Sequence, residues 1–229
     1  MIRYLLCSFL LWSSAAAANQ SLIDRLHEAE ERHSLPHNSL VALSETESSL
    51  NLFAINVDDG ASFYPKSKTE ALRILRNISN RPFILKVKER ESDSNSEVYF
   101  FKTERAANQA LARITQPNSK FQPVRHPDNS YVRKLNMLNT GLCALQLNYR
   151  WQAHGQGRGV NTLLDPDFCI NHGAKFLSGL IRQHGFKKGV GCYYTCGKSE
   201  RAQRDRREYI ARYNRHFNRL RNSATVAQR

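Results

Sequence analysis

The hydrophobic period of this chain changes twice, and that constrains its fold more than any other feature. In the outer parts apolar residues recur at three- and four-residue intervals, as in helices with one buried face. Leu22, Ile23, Leu26 and Ala29 do so within 20–34, and Phe176, Leu177, Leu180 and Ile181 within the stretch opened by Asp165-Pro166. In the middle the pattern becomes β-like. Phe83-Ile-Leu-Lys-Val-Lys88 and Glu97-Val-Tyr-Phe-Phe-Lys102 are rich in β-branched and aromatic residues and are joined by a polar stretch, which predicts a hairpin. The expected class is therefore mainly α (α+β), with a β-β-α insertion over residues 80–130.

Local signals place the helices. Leu35-Pro36 ends the first, and Asn38 is positioned to cap a second that runs through Leu40, Val41 and Leu43 to Glu47 and Ser48. Asp58-Asp59-Gly60 marks a turn, Ser67 or Thr69 precedes a helix through Leu75, and Thr103 precedes one over 104–114. A Pro- and Asn-rich loop is expected over 116–130. His184-Gly185 closes the Asp165-Pro166 helix, and further helices are expected over 190–194 and 200–222, with a disordered tail over 223–229.

The first residues bear one positive charge at Arg3, then a short apolar run, then small residues through Ala16-x-Ala18. That is the pattern of a secretory signal peptide over 1–18, cleaved near Ala18, with the mature domain over 19–222. Export makes disulfides available to Cys143, Cys169, Cys192 and Cys196, with three possible pairings that spacing does not separate. A zinc site is the competing use of these thiols, and the spacing fits it poorly. The net charge of +14 in an exported chain points to envelope polyanions and away from nucleic acid. Neither a cofactor nor a metal is implied, and a monomer is expected.

Two stretches combine the groups a carbohydrate site needs. One is Glu47-Ser-Ser-Leu-Asn-Leu-Phe-Ala-Ile-Asn56, and the other is Leu145-Gln-Leu-Asn-Tyr-Arg-Trp151. An acid, amides and aromatic rings are the set that protonates a glycosidic oxygen, holds hydroxyl and N-acetyl groups, and covers sugar faces. Together with Leu163-Leu-Asp-Pro166, Gly173-Ala-Lys-Phe-Leu177 and Val190-Gly-Cys-Tyr193, they resemble the soluble lytic transglycosylases of the lysozyme-like superfamily, in particular specialised envelope members. The chain departs from that pattern at Leu52 for a proline, Cys143 for a glycine, Leu145 for a methionine, Gln152 for a histidine and Cys169 for an asparagine.

The resemblance implies a lysozyme-like helical fold and non-hydrolytic cleavage of the β-1,4 bond between N-acetylmuramic acid and N-acetylglucosamine in peptidoglycan, by one carboxylate, Glu47. It implies that Ser48 bonds near the scissile sugar, that Gln146 and Asn148 hold substrate or loop backbone, and that Tyr193 and Tyr209 orient Glu47 and line the cleft. It also implies a periplasmic location and service to an envelope-spanning secretion, conjugation or pilus machine. New disulfides are expected among the four cysteines, since Cys143 and Cys169 both stand where the family has other residues. The alternative function is a catalytically weak peptidoglycan-binding scaffold, and goose-type hydrolysis on the same fold is a third reading.

Overall fold

The computed structural model describes residues 21–58, 61–88, 96–115 and 130–227. The expected signal peptide lies outside them, as do the tip of the 83–102 hairpin and nearly all of the loop expected over 116–130. The chain is mainly helical with two small antiparallel sheets, the class that the alternating periods predict.

Helix α1 (21–32) buries Leu22, Leu26 and Ala29 along one stripe. The chain turns at Leu35-Pro36 into α2 (Ser39–Ser48), whose residues from Ser39 to Ser44 are all buried. α2 is thus a core helix, and its chemistry can emerge only at its C-terminal end. The capping expected of Asn38 is not made: Asn38 sits in the left-handed region at φ 68° and its side chain bonds no helix N–H. Glu30 of α1 takes its place. This carboxylate, 1 % exposed, accepts backbone N–H bonds from Asn38 (2.8 Å), Leu40 (2.6 Å) and Val41 (3.4 Å). A carboxylate from a neighbouring helix satisfies several orphan donors where a local amide satisfies one. At the other end Ser49 and Leu50 are both left-handed, and the Leu50 N–H reaches back to Ser44 O at 3.3 Å. That is a Schellman-type closure without a glycine.

Beyond α2 come β1 (Ile55–Val57), β2 (Ala61–Phe63) and α3 (Lys68–Asn80), which Ser67 caps by accepting the Glu70 N–H. The insertion follows. Strands β3 (Phe83–Lys88) and β4 (Ser96–Phe101) pair antiparallel as expected, and α4 (Glu104–Thr115) lies against them. The two faces of β3 part company: Leu85 and Val87 form a satellite core with Ile114, while Ile84 joins the main core. A third strand, β5 (Tyr131–Lys134), pairs with the free edge of β3. The insertion is therefore β-β-α-β and ends at Lys134. Four residues, two of them basic, give an edge strand no hydrophobic alternation to read.

β6 (Thr140–Leu142) and β7 (Leu147–Asn148) complete the other sheet in the order β2-β1-β6-β7. The β1–β6 register, Ile55↔Leu142 and Asn56↔Gly141, brings the two sequence stretches of interest side by side. The short helices α5 (Tyr149–Gln152) and α6 (Val160–Leu163) lead to α7 (Pro166–His184), capped by the Asp165 side chain on the Phe168 N–H at 2.9 Å and closed at Gly185. α8 (Phe186–Tyr194) and α9 (Glu200–Ala227) finish the fold. α9 extends past the expected limit at 222, so the region expected to be a disordered tail is helical as far as Ala227. Among the described residues no helix is long and apolar enough to cross a membrane.

Two disulfides select one of the three possible pairings: Cys143–Cys169 and Cys192–Cys196, separated by 26 and 4 residues. The first joins the turn after β6 to α7, and the second ties the last turn of α8 to the chain leaving it.

Candidate active site

Glu47 occupies the last turn of α2, where the buried helix reaches a half-exposed position. Its Oε1 accepts a hydrogen bond from the Tyr209 hydroxyl at 2.5 Å. Tyr209 is itself 1 % exposed, and its ring stacks on Tyr194 with centroids 5.2 Å apart. The position follows from α9's own sequence. Tyr209, Tyr213 and Phe217 recur every four residues and form one stripe, with Tyr213 stacked on Phe217 and its hydroxyl donating to Ser39 O at 3.3 Å. α9 thus grips both ends of α2 and brings Tyr209 to the carboxylate.

The second stretch is fixed as tightly. Three successive carbonyls of the turn after β6 each accept from a different part of the site. Cys143 O takes the Gln146 N–H and side-chain amide, both at 3.1 Å. Ala144 O takes the Ser48 hydroxyl at 2.8 Å, and Leu145 O takes the Tyr193 hydroxyl at 2.8 Å. The Cys143 N–H in turn donates to Ala54 O at 2.9 Å. The Glu47-Ser48 helix end, the Gln146 turn and α8 therefore form one hydrogen-bonded unit.

Backbone geometry explains the residue types at this turn. Cys143 has φ 68° and Gln146 φ 48°, both left-handed. At position 143 the resemblance implies a glycine, which adopts that conformation freely. A cysteine there costs about 1–2 kcal/mol in backbone strain. The disulfide to Cys169 holds it against α7 at a site with almost no solvent exposure. One turn along α7, Gly173 faces Leu145, and a Cβ at Gly173 would come within 2.4 Å of the Leu145 Cδ1. The bare glycine is what admits Leu145 in this core.

The structure gives each of the expected site residues definite partners. Ser48, expected at the scissile sugar, is 2 % exposed, and its hydroxyl lies within bonding distance of Ser44 O (3.0 Å) and Ala144 O (2.8 Å). It positions the Gln146 turn from inside. Asn148, expected on substrate or loop backbone, holds backbone: it accepts the Trp151 N–H at 3.4 Å and caps α5. Gln146 turns its amide nitrogen back to its own turn, and its buried Oε1 lies against Gly141 with no hydrogen-bond partner. Tyr209 bonds Glu47 directly, while Tyr193 bonds Leu145 O close enough to Glu47 to feel its charge. Sequence reasoning missed Glu30, Tyr194 and Tyr213. The four-residue spacing of Tyr209, Tyr213 and Phe217 was the readable signal for Tyr213, whereas Glu30 and Tyr194 left none.

The electrostatics follow from this burial. Desolvation pushes the Tyr193 and Tyr209 hydroxyls well above the usual tyrosine range, and the nearby Glu47 charge adds to both. Each tyrosine therefore remains a protonated donor at any physiological pH. The neighbouring acids are engaged elsewhere. Glu45 pairs with Arg219 at 2.5 Å and His216 at 3.0 Å on the α9 surface. Asp58 accepts from the Asn136 N–H at 2.6 Å and the Asn139 amide at 2.9 Å. Among the described residues, what remains at this end of α2 is one half-exposed carboxylate held by a tyrosine and set beside an amide-bearing turn. Such a group can give a proton to a bound oxygen and take one back.

No protein-family model, no curated protein and no solved structure matches this chain.

Proposed function

We propose that this protein is an exported peptidoglycan lytic transglycosylase with Glu47 as its single acid–base residue. The observation that carries this reading is the Tyr209 to Glu47 hydrogen bond at the end of a buried helix, with the Gln146 turn locked beside it by Ser48 and Tyr193. In the proposed reaction the protonated Glu47 gives its proton to the glycosidic oxygen between N-acetylmuramic acid and N-acetylglucosamine. The bond from that oxygen to the muramic C1 breaks while the neighbouring N-acetyl oxygen assists at C1. The carboxylate then takes the proton of the muramic 6-hydroxyl as that oxygen bonds to C1, which leaves a 1,6-anhydro ring and regenerates the acid.

Tyr209 keeps the Glu47 carboxyl in one orientation through both proton transfers, and Tyr193 fixes the turn that carries Gln146. The engagement of Glu45 and Asp58 elsewhere favours a mechanism with one carboxylate over one with a second acid. Two disulfides fit an oxidising compartment, and the periplasm is the location proposed. There the enzyme would open the sacculus locally for an envelope-spanning machine.

The test is digestion of purified sacculi by the wild-type protein and by Glu47→Gln, with muropeptides identified by mass spectrometry. Anhydro-muropeptides from the wild type and none from the variant are expected. Reducing-end products would establish hydrolysis in its place, and binding without any product would favour the scaffold.

A further inference from the structure

We infer that His27, Glu30 and His37 form a binding site for a divalent transition-metal ion of the zinc class, at the N-terminal end of α2. Each residue offers one ligand atom, and the three atoms lie within 4.8 Å of one another. Two imidazoles and a carboxylate are a donor set that suits zinc, with room for water at a fourth position. This inference does not depend on the catalytic reading of Glu47.

The fold builds the site from two elements. His27 and Glu30 stand three residues apart on α1 and therefore share a face. His37 comes from the turn into α2, with its ring centroid 4.3 Å from that of His27 and its Nδ1 3.7 Å from Glu30 Oε2. The Asn38 side-chain oxygen lies 3.1 Å from His27 Nε2 and orients that ring, as outer partners of metal ligands do. Burial is graded across the set: the Glu30 side chain is 1 % exposed and that of His37 is 67 % exposed. The ion would thus reach a buried carboxylate from the solvent side past an exposed imidazole.

Capping α2 does not exhaust Glu30. Oε2 accepts the Asn38 N–H, and a carboxylate oxygen that accepts one such bond retains a second lone pair. A cation bound by His27 and Glu30 of α1 and by His37 cross-links α1 to the turn into the helix that ends in Glu47.

The test uses the full mature chain, stripped with a chelator and titrated with zinc chloride by calorimetry and by thermal melting. One equivalent is expected to bind in the micromolar range or tighter, with a melting temperature that rises with zinc concentration. His37→Ala and His27→Ala should each weaken binding at least about tenfold and remove the thermal shift, with unchanged circular dichroism. Glu30 is left intact because its loss would uncap α2. The absence of saturable binding overturns the inference, as does an isotherm unchanged in the His27→Ala/His37→Ala double variant, which would place the ion elsewhere, for example at His184.

Discussion

Tyr209 donates its hydroxyl hydrogen to Glu47 Oε1 at 2.5 Å, across 162 positions of sequence. That bond joins the last helix to the end of the most buried one. A phenol bonded to a carboxylate is a charge-assisted pair, stronger than a neutral hydrogen bond and more restrictive in direction. The Tyr209 ring is fixed from behind by Tyr194, and the adjacent Tyr193 holds Leu145 O. Cys192 and Cys196 bracket these two α8 tyrosines with a disulfide. Acid, turn and aromatic support are thus assembled by the order in which α2, α8 and α9 pack.

Tyr209→Phe keeps the ring, its stack on Tyr194 and its place in the core, and removes only the hydroxyl. If that bond orients Glu47, turnover of sacculi should fall on the order of 10- to 100-fold with KM changed little. Stability should fall by about 1.5–3 kcal/mol, the net worth of a hydrogen bond to a charged group. Steady-state release of anhydro ends together with a urea melt separates the two effects. Unchanged kcat with lowered stability would reduce Tyr209 to a core residue.

The sequence shows some of these features plainly and conceals others for physical reasons. Long periodic helices and the hairpin of β3 and β4 are legible because burial imposes a period over many residues. Strands β1, β2, β6 and β7 span three residues or fewer, too few for alternation to register. Glu30 looks like any solvated charge on α1, and only tertiary packing turns it into the cap of α2. Ser48 and Asn148 fall in the right neighbourhood, yet the sequence cannot tell a hydroxyl aimed at a ligand from one aimed at Ala144 O. Cys143 is the converse case. Its departure from the glycine that the resemblance implies stands out in the sequence, but only the structure shows that the position is left-handed, at φ 68°.

The strain at Cys143 can be measured by comparing two double variants that both lack the Cys143–Cys169 disulfide. In a chain-entropy treatment, loss of a cross-link closing a loop of 26 residues costs about 3–4 kcal/mol. Cys143→Ala/Cys169→Ala bears that cost and keeps a Cβ at φ 68°. Cys143→Gly/Cys169→Ala bears the same cost without the Cβ and should be the more stable by about 1 kcal/mol. Chemical denaturation of both proteins under identical conditions checks the difference. Equal stabilities would mean that the turn relaxes once the disulfide is gone.

Alkaline pH should unfold this protein through its buried tyrosines. Tyr193 and Tyr209 are raised by burial first and by Glu47 second, and Tyr213 is raised by burial and then by Glu30. Above the ordinary tyrosine value of 10.0 the unfolded chain releases these protons while the native state retains them. The native state then binds more protons, so the stability they contribute is complete below that value and is lost as pH rises beyond it. Three such groups give a limiting slope of about 4 kcal/mol per pH unit. Urea midpoints should therefore be flat to about pH 9 and fall steeply above about pH 10. Ultraviolet titration of the mature chain, which without Tyr4 has eight of the nine tyrosines, should show three of them ionising only as the protein unfolds. Tyr213→Phe should flatten the decline, since it removes one of the three retained protons. Reversible ionisation of all eight tyrosines of the mature chain in the folded state would refute the burial of these hydroxyls and, with it, the tyrosine support proposed for Glu47.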